Sequence, residues 1–173
     1  MGPEAVAKAA ILSFYPSYMK KNSPIIDLLN EVLTAELTAI NQYFLNAELC
    51  EHWGYTKLYQ VARKQSIDEM KHAEMLIERI LFLDGIPNVQ RLSKINIGEN
   101  VPEQFKADFN LESEAVERLK SGIELCRSHH DHGSAVLLEG ILASEEEHLD
   151  FLGKQIDLLK SIGDANYLAQ QLA

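Results

Sequence analysis

Residues 66–74, Ser-Ile-Asp-Glu-Met-Lys-His-Ala-Glu, contain a Glu-x-x-His pair formed by Glu69 and His72, and a second pair, Glu145 and His148, follows 76 residues later. Residues three apart lie on the same face of an α-helix, so each pair presents a carboxylate and an imidazole together. One such pair is weak evidence, because a short motif of common residues also arises by chance. The position of the two pairs relative to other glutamates makes them informative.

Two further glutamates, Glu36 and Glu112, each lie 33 residues before the glutamate of a pair. Apolar residues surround both of them: Leu33 and Leu37 flank Glu36, and Val116 follows Glu112 by one helical turn. Both side chains are therefore predicted to face the core, where an ionised carboxylate is rare unless it is paired or bound to metal. The competing interpretation, a set of unconnected surface glutamates and histidines, leaves the matched spacing unexplained.

Helical signals divide the chain into five segments. Ser23 and Pro24 form a helix start, with serine as the N-cap and proline at the first helical position. Apolar residues then recur with a helical period, and Gly54, Gly85 and Gly133 mark breaks in that period. The predicted helices span about 24–51, 55–84, 102–129, 133–162 and 164–172.

The helical period is lost between residues 85 and 101. At ~3.3 Å per residue this segment is long enough to run the length of a bundle and to leave the third helix parallel to the second. The expected fold is all-α: a ferritin-like four-helix bundle with one long crossover between helices 2 and 3 and a short fifth C-terminal helix. Residues 24–173 are expected to form this one di-iron domain, and residues 1–23 an extension that is either a short helix or disordered.

A weak internal repeat with an offset of 76 residues relates the two halves of the chain, because it pairs Glu36 with Glu112, Glu69 with Glu145 and His72 with His148. A site on the resulting pseudo-twofold axis takes equal shares from each half. One glutamate from each of two helices and a Glu-x-x-His pair from each of the other two form the ligand set of di-iron or di-manganese carboxylate proteins. Carboxylate and imidazole donors suit iron or manganese. The crowded carboxylates are expected to hold protons until metal displaces them.

Composition limits the classes of function. The net charge of -10 disfavours nucleic acid as a partner and favours cations. No apolar run approaches the ~20 residues of a membrane span, and the N-terminus does not resemble a signal peptide. Cys50 and Cys126 are too few and too far apart for a disulfide framework, so we expect both to stay reduced. These features predict a soluble cytoplasmic protein without a nucleic-acid or membrane partner.

Several stretches of the sequence resemble bacterioferritins: residues 39–44 (Ala-Ile-Asn-Gln-Tyr-Phe), 66–74, 77–83, 95–99 (Ile-Asn-Ile-Gly-Glu) and 166–168. The similarity extends over about residues 26–172. It implies a hollow shell, expected to have 24 subunits of one chain or of this chain and a paralogue. Such a shell oxidises Fe(II) with O₂ or H₂O₂ and stores a ferric mineral. The catalytic metal ligands of the family fall on the six residues reached above, none of which is substituted: Glu36, Glu69, His72, Glu112, Glu145 and His148.

The same resemblance implies haem b, one per pair of subunits, with its iron held by one methionine from each subunit. The matching residue is Met70, next to Glu69 and about 100° further round the helix, so it leaves the inward face. Without the resemblance, a methionine at a subunit seam indicates only adaptable packing. A ferredoxin-type reductant is then the expected partner for iron release through the haem.

The sequence departs from the family pattern just before the first motif. Lys64 and Gln65 stand where bacterioferritins often carry a histidine and a carboxylate, although Asp68 keeps its place. The sequence therefore leaves open whether this chain has a second iron site on the inner surface of the shell.

Two groups of residues keep alternative interpretations. His129, His130 and His132 lie at the third predicted turn, where they form either an accessory metal site or, as we favour, solvated loop histidines. Tyr43 lies two helical turns after Glu36, where it is either a hydrogen-bond partner of the metal site or an ordinary buried tyrosine.

Other members of the ferritin-like class fit the sequence less well. A rubrerythrin-like di-iron peroxidase usually adds a Cys-x-x-Cys iron domain, and a ribonucleotide reductase small subunit is much longer. A DNA-protecting mini-ferritin usually lacks both Glu-x-x-His pairs. A haem-bearing or purely structural subunit of a mixed shell would be expected to have lost a metal ligand.

Overall fold

A computed structural model describes residues 24–172, which form five α-helices. Their bounds are α1 Pro24–His52, α2 Thr56–Phe82, α3 Val101–Ser128, α4 His132–Ile162 and α5 Asp164–Ala169. The predicted all-α fold is confirmed, and the helix ends agree with the sequence to within a few residues, except that α5 stops before the expected Leu172. The predicted extension of residues 1–23 lies outside the described residues.

The two helical hairpins, α1–α2 and α3–α4, are closed by short turns with local reasons to form. Gly54 adopts a φ of 85°, a left-handed conformation that glycine enters without a steric penalty. At the second turn, the Asp131 side chain caps α4 by accepting a hydrogen bond from the Ser134 backbone N–H at 3.0 Å. Arg79 of α2 also binds Asp131, with an Nη2–Oδ1 distance of 2.6 Å, and so ties the second helix to the second hairpin.

The long crossover lies along α1, where polar side chains hold its backbone. The hydrogen bonds run from Asn88 N to Asn30 Oδ1 (2.7 Å), from Ser93 N to Thr38 Oγ1 (2.9 Å) and from Asn96 N to Gln42 Oε1 (3.0 Å). Because residue numbers rise together in both segments, the crossover runs in the same direction as α1. It therefore starts α3 at the end of the bundle where α1 ends and α2 begins, which makes α3 parallel to α2 as predicted.

Gly98 allows the crossover to pass close to the start of α3. A Cβ atom added at this position would lie 2.4 Å from the backbone nitrogen of Gln104. Only glycine fits that approach, so the crossover reaches the helix without displacing its first turn.

The apolar core of the bundle is divided into two clusters. One contains Leu33 of α1, Leu76 of α2, Leu119 of α3 and Ile141 of α4 among its members. The other contains the following buried residues: Cys50, Leu58, Val101, Phe105, Leu152, Leu159 and Tyr167. On each of the four long helices, one buried glutamate lies between the residues of the two clusters. The polar layer that results is where the sequence places the candidate site.

None of the helices in residues 24–172 has an apolar stretch long enough to cross a lipid bilayer.

We predict that Cys50 and Cys126 remain reduced and react slowly in the native protein. Both are buried free thiols in different core clusters. Burial raises the pKa of Cys50 to about 12 and that of Cys126 to about 11, so little reactive thiolate is present at neutral pH. Mass spectrometry after iodoacetamide treatment should show little alkylation in native buffer and two labels after unfolding. An intrachain bridge in the non-reduced protein would contradict this topology.

Candidate metal centre

The polar layer brings all six predicted ligands into one cluster. Helices α1 and α3 each contribute a single glutamate, whereas α2 and α4 each contribute a glutamate and a histidine one turn apart. The residues are Glu36, Glu69, His72, Glu112, Glu145 and His148. The four carboxylate residues are at most 2% exposed. Their function as ligands remains a prediction, but their convergence is a property of the fold.

The six side chains form two overlapping groups of four possible ligands. One group consists of Glu36, Glu69, His72 and Glu145, and the other of Glu69, Glu112, Glu145 and His148. Within each group, one donor atom from every residue lies within 4.8 Å of the others. Glu69 and Glu145 belong to both groups, whereas Glu36 belongs only to the first and Glu112 only to the second.

The imidazoles show the same arrangement in the metal-free geometry. The Nδ1 atom of His72 lies 2.9 Å from Glu69 Oε2 and 3.0 Å from Glu145 Oε1. The Nδ1 atom of His148 lies 3.0 Å from Glu145 Oε2 and 3.1 Å from Glu69 Oε1. Each central carboxylate therefore contacts both histidines, and the two halves of the site are related as the 76-residue repeat predicts.

Protons stabilise this concentration of negative charge. Burial raises the pKa values of Glu36 and Glu112 well above the usual range of a glutamate, with neighbouring carboxylates adding to the effect. Burial opposes the charging of His72 and His148, but the surrounding carboxylates outweigh it and raise their pKa values to about 12 and about 10. Burial also opposes ionisation of Glu69, yet hydrogen bonds from both histidines lower its pKa to about 2. These directions agree with the expectation that the site retains protons.

The donor set fits divalent iron or manganese. Glu69 Oε1 and Glu145 Oε1 are buried, and each contacts one imidazole Nδ1, at 3.1 and 3.0 Å, so each oxygen keeps a lone pair for a further partner. Four ionised carboxylates carry four negative charges, and two divalent ions would neutralise them. Oxygen and imidazole donors without a thiolate match iron and manganese better than zinc in a structural site.

Tyr43 combines the two roles that the sequence left open. Its side chain is fully buried, and its hydroxyl donates a hydrogen bond to Glu112 Oε1. Its ring also packs edge-on against the ring of His148, with centroids 6.4 Å apart. The contact fixes the orientation of Glu112 but has no counterpart on Glu36, since the repeat pairs Tyr43 with Leu119.

A small pocket between α1 and α3 leads to the four glutamates. Its wall contains three alanines and a leucine, Ala35, Ala39, Ala115 and Leu111. Small side chains at these positions leave a gap between the two helices beside the carboxylates.

Comparison with known proteins identifies the family. The model of the ferritin-like domain family matches residues 26–162. The chain is 52% identical over 151 residues to a bacterioferritin of Streptomyces coelicolor, which covers 87% of this chain and 90% of that protein. The chain belongs to the bacterioferritin family. It is also 50% identical to a bacterioferritin of Mycobacterium leprae and 49% identical to bacterioferritin BfrA of Mycobacterium tuberculosis, in each case over 88% of this chain and 96% of the relative.

Met70, the predicted haem ligand, lies on another face of α2. Met70 is 44% exposed, whereas its neighbour Glu69 is 1% exposed. Exposed Ile67 and Phe44 lie on the α1–α2 hairpin with it, and the Arg63 guanidinium lies 5.0 Å from the centre of the Phe44 ring. The separation of Met70 from the carboxylate cluster agrees with the helix-face prediction.

Asp68, which keeps its place beside the substituted Lys64 and Gln65, forms ion pairs. Asp68 contacts Lys64 and also Lys71, the latter with an Nζ–Oδ1 distance of 2.7 Å. Gln65 is buried and contributes no charged group. Both lysines therefore pair with this one carboxylate.

The histidines of the α3–α4 turn are exposed and do not converge. The His129 ring nitrogen Nδ1 lies 3.0 Å from the Leu125 carbonyl, and His130 has a φ of 58° within the turn. Neither group of possible metal ligands in residues 24–172 includes His129, His130 or His132. This geometry fits solvated loop histidines.

One buried polar group was missed by the sequence interpretation. Asp108 lies one turn before Glu112 on α3 and is 4% exposed. It is hydrogen-bonded to Gln42 and Asn46 of α1. The only signal in the sequence was the four-residue spacing of Gln104, Asp108 and Glu112 on one helix face.

We predict that metal binding to the cluster releases protons and weakens as the pH falls. Glu36 and Glu112 have raised pKa values, and both histidines hold protons at neutral pH, so an incoming cation must displace protons from them. Titration calorimetry with Zn²⁺ in buffers of different ionisation enthalpy should show proton release, and affinity should be lower at pH 6 than at pH 7.5. Affinity that is independent of pH would contradict this description of the site.

Proposed function

We propose that this protein stores iron and is a ferroxidase that oxidises Fe(II) to Fe(III) at the carboxylate–histidine cluster. The observation that carries the proposal is the pair of overlapping ligand groups that share Glu69 and Glu145 inside one subunit. Membership of the bacterioferritin family supports the iron-storage role. Residues 24–173 are proposed to be the di-iron domain and residues 1–23 an extension to it.

The chemistry follows from the charge and spacing of the ligands. Two substrate Fe(II) ions would replace the protons of the site and balance its four carboxylates. The bridging positions of Glu69 and Glu145 would hold the ions close together, so that one oxidant molecule accepts an electron from each. Tyr43 would keep Glu112 oriented throughout by donating its hydrogen bond. O₂ and H₂O₂ both remain candidate oxidants.

The assembly is proposed to be a cytoplasmic 24-subunit shell, made of this chain alone or mixed with a paralogue. The exposed apolar face around Met70 and Ile67 suits burial against a second subunit. A haem b would fit at this contact, with the thioether of Met70 and that of the second subunit's equivalent residue on its iron. The haem would supply an electron path, and a ferredoxin-type reductant is the proposed electron donor.

Anaerobic Fe(II) titration tests the proposal most directly. The protein should bind two Fe(II) per subunit, oxidise them when O₂ or H₂O₂ is added, and elute from size exclusion at the mass of a large shell. A haem-bearing structural subunit would form the shell without oxidising iron. A di-iron peroxidase outside a storage role would turn over peroxide without retaining a ferric core.

We predict that Glu145→Ala or His148→Ala abolishes fast Fe(II) oxidation and leaves fold and assembly intact. Each substitution removes a candidate ligand, but Glu145→Ala also relieves the crowding of carboxylates, so the stability of the metal-free protein need not fall. The control is Glu147→Ala, which changes an exposed glutamate on the same helix and should oxidise iron at the parent rate. Parent-rate oxidation of two Fe(II) per subunit by either site variant would refute the assignment.

We predict that Met70→Leu removes haem without affecting Fe(II) oxidation. Leucine keeps the volume and helix propensity of methionine, so the substitution should cost less than ~1.5 kcal/mol of folding stability. It lacks the thioether that could bind haem iron. The visible haem band should disappear, the shell should persist, and reductive release of stored iron should slow. Met75→Leu, at another exposed methionine of α2, should keep the haem band. Loss of ferroxidation together with haem would show that the two faces of α2 do not act independently.

A further inference from the structure

The exposed face of α2 around Met70 has the composition that a porphyrin needs. Met70 is 44% exposed, and Ile67, one turn before it on the same face, is 41% exposed. Phe44 of the neighbouring α1 is 43% exposed. A thioether can bind haem iron, and apolar side chains beside it can cover a porphyrin ring. The residues present therefore fit a haem at this face.

One cation lies on the same face and is held in place. Arg63 precedes Ile67 by four residues and Met70 by seven, so all three side chains lie along one side of α2. Two helical turns separate Arg63 from Met70, which is about 10 Å along the helix axis. The Arg63 guanidinium lies 5.0 Å from the centre of the Phe44 ring, a cation–π contact that orients this long side chain at the surface.

The charge of Arg63 is not paired with any carboxylate of residues 24–172. The contact with the Phe44 ring is the interaction that Arg63 makes within this part of the chain. Two neighbouring cations of α2 are already used, because Lys64 and Lys71 both bind Asp68. Among the cations of residues 63–71, only Arg63 keeps its charge available for a partner from outside the subunit.

A haem supplies an anion of the kind that an arginine recognises. Haem b carries two propionate carboxylates on one edge, and the rest of its rim is apolar. An anion placed against an apolar surface is costly unless a counter-charge meets it. A guanidinium presents its N–H groups in a planar fork that matches a carboxylate. Two subunits that share one haem across a twofold axis would supply two such guanidinium groups, one for each propionate.

We propose that Arg63, oriented by Phe44, binds a propionate carboxylate of the haem and makes the site selective for porphyrins with free carboxylates. The inference deepens the proposed function and rests on it, because the haem is the one proposed at Met70. The contact is an ion pair with hydrogen bonds donated by the guanidinium, and no covalent bond changes. Met70 holds the iron, and Arg63 holds the edge of the ring.

The test compares haem b with its dimethyl ester, in which the propionates are neutral while the iron and ring are unchanged. Full-length assembled protein from which haem has been removed is titrated with each compound at low salt, and the visible band reports binding. Arg63→Gln removes the charge, and Arg63→Lys keeps the charge but not the planar fork. The control is Arg118→Gln, at a half-buried arginine of α3. Met70→Leu gives the background of non-specific uptake, and size exclusion checks the assembly of every variant.

The parent protein should bind haem more tightly than the ester. In Arg63→Gln the affinity for haem should fall by about tenfold to a hundredfold, which is the contribution of a charge-assisted hydrogen bond, and the affinity for the ester should stay at the parent value. Arg63→Lys should lose less affinity for haem than Arg63→Gln does. Arg118→Gln should bind both compounds as the parent does.

Equal weakening of haem and ester binding in Arg63→Gln would assign Arg63 to the subunit contact, for example to a carboxylate of the second subunit, and would overturn the inference. A parent protein that binds haem and ester equally well would overturn it without any variant. A parent that binds neither compound above the Met70→Leu background would instead overturn the proposed haem site, and this inference with it.

Discussion

The burial of four carboxylates at one level of a helical bundle is the constraint on which the rest of the structure depends. Ionised carboxylates so close together and so far from water repel each other strongly, and the fold tolerates them because histidines, protons and a tyrosine hydroxyl lie among them. Two apolar clusters, one on each side of this layer, supply the packing that the layer lacks. The long crossover also helps to bring the four carboxylates to one level of the bundle. It makes α3 parallel to α2, so the two hairpins face each other across a pseudo-twofold axis and the glutamates meet at one height.

The parts of this structure that follow from periodicity could be predicted from the sequence. The 33-residue and 76-residue spacings place Glu36, Glu69, Glu112 and Glu145 at matching heights on four helices, because a helix converts sequence distance into position along an axis. Helix ends were predictable for a similar reason: Pro24, Gly54 and Gly163 act through their own backbone preferences and need no distant partner.

The buried polar contacts of Asp108 could not be predicted in this way because they are made between helices. Asp108 is 66 residues from Gln42 and 62 from Asn46, and the repeat gives no warning of it, since its counterpart is a valine. In sequence, a single aspartate on an amphipathic helix indicates a solvated face. The structure instead buries it against two amides, and the Gln42 amide is itself oriented by the crossover backbone at Asn96. The same limit applies to Asp68, whose pairing with Lys64 and Lys71 became clear only from side-chain geometry.

The two halves of the metal cluster are alike in donor atoms but not in surroundings. Each group of possible ligands contains one glutamate of its own, one histidine and the shared carboxylates of Glu69 and Glu145, as the repeat requires. Glu112 receives a hydroxyl hydrogen bond from Tyr43 and has the buried Asp108 one turn before it, whereas Leu33 of the first apolar cluster lies one turn before Glu36. The internal repeat therefore accounts for the symmetric ligand set, and the core positions at which the two halves differ make its two ends chemically different. Because the two proposed ion positions have matching donors, any difference in how they bind or react must come from these surrounding residues.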